Sequence, residues 1–240
     1  MNNLMQLYSK FYDKFGAQGW WPVAKKGSIK PSYHNKELLT ETQKLEICFG
    51  AILTQNTNWK NVEKAIINLN KEKLIDIRKI NKVNQEELAG LIRSAGYFNQ
   101  KAVKLKVFCE YLERNYDSSF DLFFKKPIKE LREELLSIKG IGPETADSII
   151  LYAAQKPMFV VDAYTKRIMH KLGYCDENVS YDELQKMFTL SLPKDVKLFN
   201  EYHALLVQFG KEYCKKNLKC EECFLRNHCN QIHSNPLKKS

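Results

Sequence analysis

The chain has 240 residues, 44% of them hydrophobic, and its lysines and arginines exceed its acids by ten, for a pI near 9.1. That length and apolar content exclude a disordered chain and allow a sizeable core in one or two lobes. The positive excess favours a polyanion or an anionic surface as partner, while no apolar run is long enough to span a bilayer.

Almost every segment is predicted helical. Leu4, Leu7, Phe11 and Phe15 share one face of a first helix that Gly16 stops. This N-terminus has neither the basic start nor the apolar core of a secretory signal, so the expected location is intracellular, in the cytoplasm or nucleoid. Thr40 with Gln43 forms a capping box before the apolar run Leu45–Leu53. Asn58 caps a helix carrying Trp59, Val62, Ile66 and Leu69. Asn84 with Glu87 marks another start, and Gly96 ends that segment. Asn99 opens a helix with Leu105, Phe108 and Leu112 inside. Two further helices meet at residues 138–142. Val160 and Val161 form an extended lead-in to a helix ending near Gly173. Ser180 with Glu183 starts the next, and Leu198–Tyr213 is the last long one. Strand-like alternation is scarce, so the expected fold class is all-α with short connections.

The most informative stretch joins two of these helices. Leu131, Leu135, Leu136 and Ile138 lead into Lys139-Gly140-Ile141-Gly142, and Pro143 suits the first position of a new helix. The two glycines are expected to let the backbone turn sharply and approach another backbone closely. The N–H groups at the new helix's start offer a phosphate a site without reading sequence. Eighteen residues after Glu144 comes an acid, Asp162, at the start of another helix. A bland reading is a helical hairpin followed by an ordinary N-cap aspartate.

The hairpin with its following acid resembles the endonuclease III-like helix-hairpin-helix (HhH-GPD) DNA glycosylase superfamily. That resemblance implies two helical lobes: a six-helix barrel over residues 40–155, with the helix-hairpin-helix at about 128–154, and a discontinuous lobe of residues 1–39 and 156–232. A flexible tail, 233–240, would follow. A damaged base flipped from double-stranded DNA would enter between the lobes, the protein acting as a monomer ahead of an AP endonuclease. The implied DNA contacts are Lys139, Gly140, Ile141, Gly142, Thr145 and Lys166. Gln55 would wedge into the gap left by the flipped base with Asn56 assisting; alternatively Asn56 caps the helix and Gln55 is solvated.

Asp162 would be the catalytic carboxylate, stabilising the oxocarbenium-like transition state of N-glycosidic cleavage and orienting water. Relatives that also cut the strand carry a lysine where this chain reads GIGPETAD, with Glu144. A glutamate forms no imine, so a monofunctional glycosylase is expected, with Glu144 either assisting in the pocket or simply a first-turn acid. Trp20-Trp21-Pro22, LTQNT (53–57) and GYFNQKA (96–102) resemble the 3-methyladenine branch. Trp20, Trp21, Pro22 and Phe49 would form an aromatic pocket suited to a cationic alkylated base. The alternatives are a bifunctional glycosylase/lyase for oxidised pyrimidines, a mismatch uracil or thymine glycosylase, and a non-catalytic lesion-binding module.

Cys48, Cys109 and Cys175 stand alone, whereas Cys214, Cys220, Cys223 and Cys229 fall within sixteen residues. Such a cluster in a chain without a secretory signal argues for metal over disulfides, and fits zinc or an iron–sulfur cluster. The resemblance implies a [4Fe–4S] cluster in loop 214–229. The spacing here is C-x5-C-x2-C-x5-C, one residue shorter in the first interval than the superfamily's loop, which leaves zinc or no metal as alternatives. Lys215, Lys216, Lys219 and Arg226 would face phosphates.

Overall fold

The computed structural model describes residues 3–33, 38–214 and 220–229. The tail and Lys215, Lys216 and Lys219 lie outside them. Among the described residues there are twelve α-helices and one two-stranded antiparallel ribbon, so the all-α expectation holds. The chain forms two compact units: residues 19–158, and the first 18 residues together with those from Phe159 onward.

The first unit contains α2 (Glu41–Leu53), α3 (Trp59–Lys71), α4 (Ile77–Lys82), α5 (Gln85–Leu91), α6 (Phe98–Tyr116), α7 (Phe120–Phe124), α8 (Ile128–Ser137) and α9 (Pro143–Ser148). The capping box of Thr40 and Gln43 forms as expected, and Asn58 and Asn84 cap α3 and α5. Helix α6 begins one residue earlier than Asn99 suggests, because Tyr97 in a left-handed conformation turns the chain first. Phe49, Ile52, Val62, Ile66, Leu105, Phe108, Leu131 and Leu135 are fully enclosed. Each such side chain is worth about 1.5–3 kcal/mol of burial.

Residues 19–39 were expected in the terminal lobe, but their described part packs in this unit. The physical reason is a set of contacts the apolar pattern does not display. Strand β1 (Val23–Ala24) pairs with β2 (Pro31–Ser32), and Ala24 is clasped by α2. Its N–H donates to Glu46 Oε1 at 2.9 Å, and its carbonyl accepts from Gln43 Nε2 at 3.0 Å. Glu46 is only 2% exposed, and Asn70 of α3 donates to its other oxygen at 3.3 Å. Burial pushes this carboxyl up to about 7 despite both hydrogen bonds.

The second unit contains α1 (Leu4–Phe15), α10 (Ala163–Lys171), α11 (Tyr181–Ser191) and α12 (Val196–Glu212). Leu4, Leu7 and Phe11 of α1 are buried as the amphipathic pattern predicts. Phe159 stacks on Phe188 at 3.9 Å and meets Phe199 and Tyr202 edge-on. The Tyr202 hydroxyl donates to Leu4 O at 2.9 Å and ties α12 to α1. The Ser180–Glu183 capping box starts α11.

Candidate active site

The hairpin between α8 and α9 turns as expected, but its two glycines do different things. Gly140 has φ +96°, and a Cβ there would lie 2.7 Å from Lys104 Cγ. Both facts require glycine. Gly142 has φ −97° and caps α9, with nothing within 4 Å of an added Cβ. The expectation of two conformationally required glycines is therefore corrected: Gly142 leaves open space before the helix start, which suits an approaching backbone. Ile138 and Ile141 are buried and anchor the loop, while Lys139 and Glu144 are exposed. Asp147, fully buried, accepts from Arg132 Nε at 2.8 Å and Nη2 at 3.2 Å, a two-pronged pair joining α8 to α9. After α9 the helix continues as a π turn, Ile149–Ala153.

Gln55 reaches this hairpin. Its Nε2 donates to Gly140 O at 3.0 Å and to Thr145 Oγ1 at 2.9 Å, and its Oε1 accepts from Lys104 Nζ. It is half-buried, so the alternative of a solvated Gln55 is excluded. Thr145 is buried in the same network. Thr54, not Asn56, caps α2; Asn56 follows, exposed, at φ +55°. The loop is pinned from behind by Lys101, 2% exposed, whose ammonium donates to Leu53 O at 2.9 Å and Ala95 O at 2.8 Å. Both acceptors lie at helix ends, where partial negative charge gathers. Burial, with the charge of Lys104 nearby, pulls the Lys101 amine down to about 8.

Asp162 caps α10. Its Oδ1 accepts from the Thr165 N–H at 2.7 Å and the Thr165 hydroxyl at 2.9 Å. Its Oδ2 lies 3.8 Å from His203 Nε2 on α12. Burial alone pushes this carboxyl up, yet His203 and Thr165 outweigh it and hold the group below its ordinary value. Asp162 is thus ionised at neutral pH, with one oxygen committed to the helix cap and the other facing His203. Lys211 of α12 is half-buried in the field of Asp162; burial lowers its amine and the carboxylate opposes that. Lys166 stands on α10, one turn beyond Asp162.

Trp20, Trp21 and Trp59 form a cluster of edge-on rings at 5.2–5.5 Å, which Tyr152 joins through Trp21. Trp21 lies against Gly50, where a Cβ would come within 2.9 Å of the indole. Trp21, Pro22 and Phe49 are buried, whereas Trp20 is half-exposed and faces the exposed Tyr33 at 5.7 Å. The structure therefore seats Phe49 in the core of the first unit and leaves Trp20 as the accessible ring of the three-residue run.

Cys214, Cys220, Cys223 and Cys229 line a single cavity with Ile168, Leu172, Phe209 and Leu225. Arg167 Nε donates to Cys214 O at 2.9 Å. Among the described residues no three His, Cys, Asp or Glu side chains converge as tightly as a single ion requires. Four thiols around one cavity are the ligand set that either zinc or an iron–sulfur cluster takes.

Residues 49–194 match the HhH-GPD superfamily of base excision DNA repair proteins. The chain belongs to that superfamily. A protein of Methanocaldococcus jannaschii named "Putative DNA repair glycosylase MJ1434" is 42% identical over 227 residues, covering 94% of this chain and 95% of its own length. The structure of the H. pylori 3-methyladenine DNA glycosylase bound to 1,N6-ethenoadenine aligns with a TM-score of 0.68 at 28% identity, over 88% of this chain and 98% of that one. A trapped endonuclease III–DNA covalent intermediate aligns with a TM-score of 0.76 at 22% identity, over 96% of this chain and 95% of that one, a likeness of fold.

For this HhH-GPD protein the sequence points to Asp162, Glu144, Gln55 and the hairpin but passes over their supports. His203, Lys211, Lys101, Lys104, Arg132, Asp147 and Glu46 are all missing from that reading. Three of them carry a usable signal: Glu46, Lys101 and His203 each sit at a position where the helical pattern calls for an apolar residue. Arg132 and Asp147 carry none, since their spacing becomes meaningful only once the hairpin is folded.

Proposed function

We propose that this protein is a monofunctional DNA N-glycosylase that releases alkylated purines, 3-methyladenine foremost, from double-stranded DNA. The observation that carries the reading is the Asp162 site: a carboxylate kept ionised in a buried setting, with one oxygen uncommitted to the helix cap. Glu144, standing where a lyase lysine would be, supports hydrolysis. The likeness to a 3-methyladenine glycosylase and the half-exposed Trp20 support a cationic, flat substrate.

In this mechanism the hairpin grips a phosphate through Gly142 and the start of α9, and Gln55 fills the gap in the duplex. Trp20 is the accessible ring on which a flat, cationic base can stack. As the C1′–N bond lengthens, positive charge grows on the sugar, and Asp162 Oδ2 stabilises it electrostatically. Water then attacks C1′, leaving an abasic site for an AP endonuclease. Cys214, Cys220, Cys223 and Cys229 would hold a [4Fe–4S] cluster, which would brace the chain around them structurally. Iron, sulfide and zinc analysis of purified protein tests that assignment.

Asp162→Asn preserves the Oδ1 cap and removes the charge, so base release from methylated duplex should fall at least about a hundredfold. Normal release by that variant refutes the reading. A bifunctional second reading has one observation in its favour, the partly desolvated Lys211 near Asp162. Borohydride decides: no covalent protein–DNA adduct is expected, whereas an adduct lost in Lys211→Met would establish lyase chemistry.

A further inference from the structure

We propose that His203 is a positioning and proton-relay residue that acts through Asp162. The inference rests on the hydrolytic reading above. Asp162 Oδ1 is filled by the Thr165 N–H and hydroxyl, so Oδ2 is the oxygen that meets the reacting water. His203 Nε2 stands 3.8 Å from that oxygen, and the two side chains are only 9% and 13% exposed. No water fits between groups that close, and a small rotation of either side chain brings the imidazole within hydrogen-bonding reach of Oδ2.

The chemistry makes a demand that this geometry meets. As the C1′–N bond breaks, its electron pair leaves with the base. An alkylated purine that is cationic in the DNA departs neutral and needs no proton. The water oxygen bonds to C1′ and must lose one proton. Asp162 Oδ2 receives it and passes it to His203 Nε2. The products are an abasic sugar hydroxyl, a neutral base, an ionised Asp162 and an imidazolium paired with it. Asp162 is a poor resting place for that proton, because the two hydrogen bonds from Thr165 favour its charged form.

Ionisable groups stand near His203 on several elements. The start of α10 contributes Asp162. Its own helix carries Lys211 two turns on, whose charge reaches Asp162. Helix α1 brings Tyr8, which is set against Tyr202, Glu201 and Asp195.

The test is single-turnover release of methylated purines from alkylated duplex DNA between pH 5 and 9, with saturating full-length enzyme, for wild type, His203→Gln and Asp162→Asn. Wild type should lose activity as pH falls, because a protonated imidazole accepts nothing. His203→Gln keeps a hydrogen-bonding side chain but no acceptor of a full proton. It should lower the plateau by about a hundredfold and abolish the acid limb, with DNA affinity unchanged. An NMR titration of the His203 ring supplies a readout apart from activity: Asp162→Asn should lower its midpoint, since the ion pair is lost. A wild-type profile flat from pH 5 to 8, an unaltered limb in His203→Gln, or a His203 midpoint insensitive to Asp162→Asn overturns the inference. If His203→Gln does not fold, the wild-type profile and the NMR titration still decide. An Asp162→Asn enzyme that releases bases normally overturns the hydrolytic reading itself; an inactive one beside an unaffected His203→Gln overturns only the role of His203.

Discussion

Glu46 offers a perturbation whose size follows from the structure. It sits in α2 at 2% exposure, with Ala24 N–H and Asn70 Nδ2 as its donors, and its carboxyl is pushed from 4.5 up to about 7. The folded protein therefore holds a proton that the unfolded chain releases between those two values. Folding takes up that proton, so stability is greatest below 4.5 and is lost as pH rises towards 7. The loss is about 3 kcal/mol and is complete above 7. Glu46→Gln cannot ionise. Its oxygen can still accept from Ala24, and a rotated Asn70 can accept from its amide at the cost of the bond to Ile29 O. The variant should match wild type or fall slightly below it at pH 5. By pH 8 it should exceed wild type by up to about 3 kcal/mol, less the cost of turning Asn70. Denaturant unfolding followed by far-ultraviolet circular dichroism at several pH values measures the difference. A gap between the two proteins that stays constant from pH 5 to 8 would mean that the carboxyl titrates normally and that the burial argument fails.

Two other substitutions probe the hairpin. Gly140→Ala places a Cβ at φ +96° against the Lys104 stem, so it should cost about 1–3 kcal/mol and weaken binding to undamaged duplex in a gel-shift titration. Unchanged affinity would separate the loop's shape from phosphate binding. Arg132→Met strips the guanidinium from the fully buried Asp147 and should destabilise the protein by about 3–5 kcal/mol, with Arg132→Met/Asp147→Leu recovering most of that in thermal melts. A double variant no better than the single one would show that the pair does more than neutralise a buried charge.

Much of the architecture is legible because it rests on local chemistry. Thr40 and Ser180 announce their helices through reciprocal caps, and Leu4, Leu7 and Phe11 announce α1 through spacing. Helices α4 and α7 pass unnoticed because they are too short for a periodic signal, although Asp76 and Ser119 cap them. The π turn after α9 leaves no mark in the pattern. Residues 19–33 are assigned to the wrong lobe because their partners, Gln43, Glu46 and Gly50, come later in the chain and nothing in the sequence pairs them with this segment. In the site, Asp162 is visible because a cap and a catalytic acid occupy the same position. His203 is visible only as a polar residue at an apolar position, because its pairing depends on α12 packing beside α10, about forty residues along the chain.

Lys101 has a practical consequence. An amine drawn down to about 8 is largely deprotonated in mildly alkaline buffer, and so is intrinsically a better nucleophile than a surface lysine. Walled in at 2% exposure, it can react with an acylating reagent only when the ends of α2 and the turn at Ala95 part. Its labelling rate is thus a built-in clock for opening of the segment that carries Gln55. Bound DNA, by holding that segment against the hairpin, should slow the clock without touching the reagent.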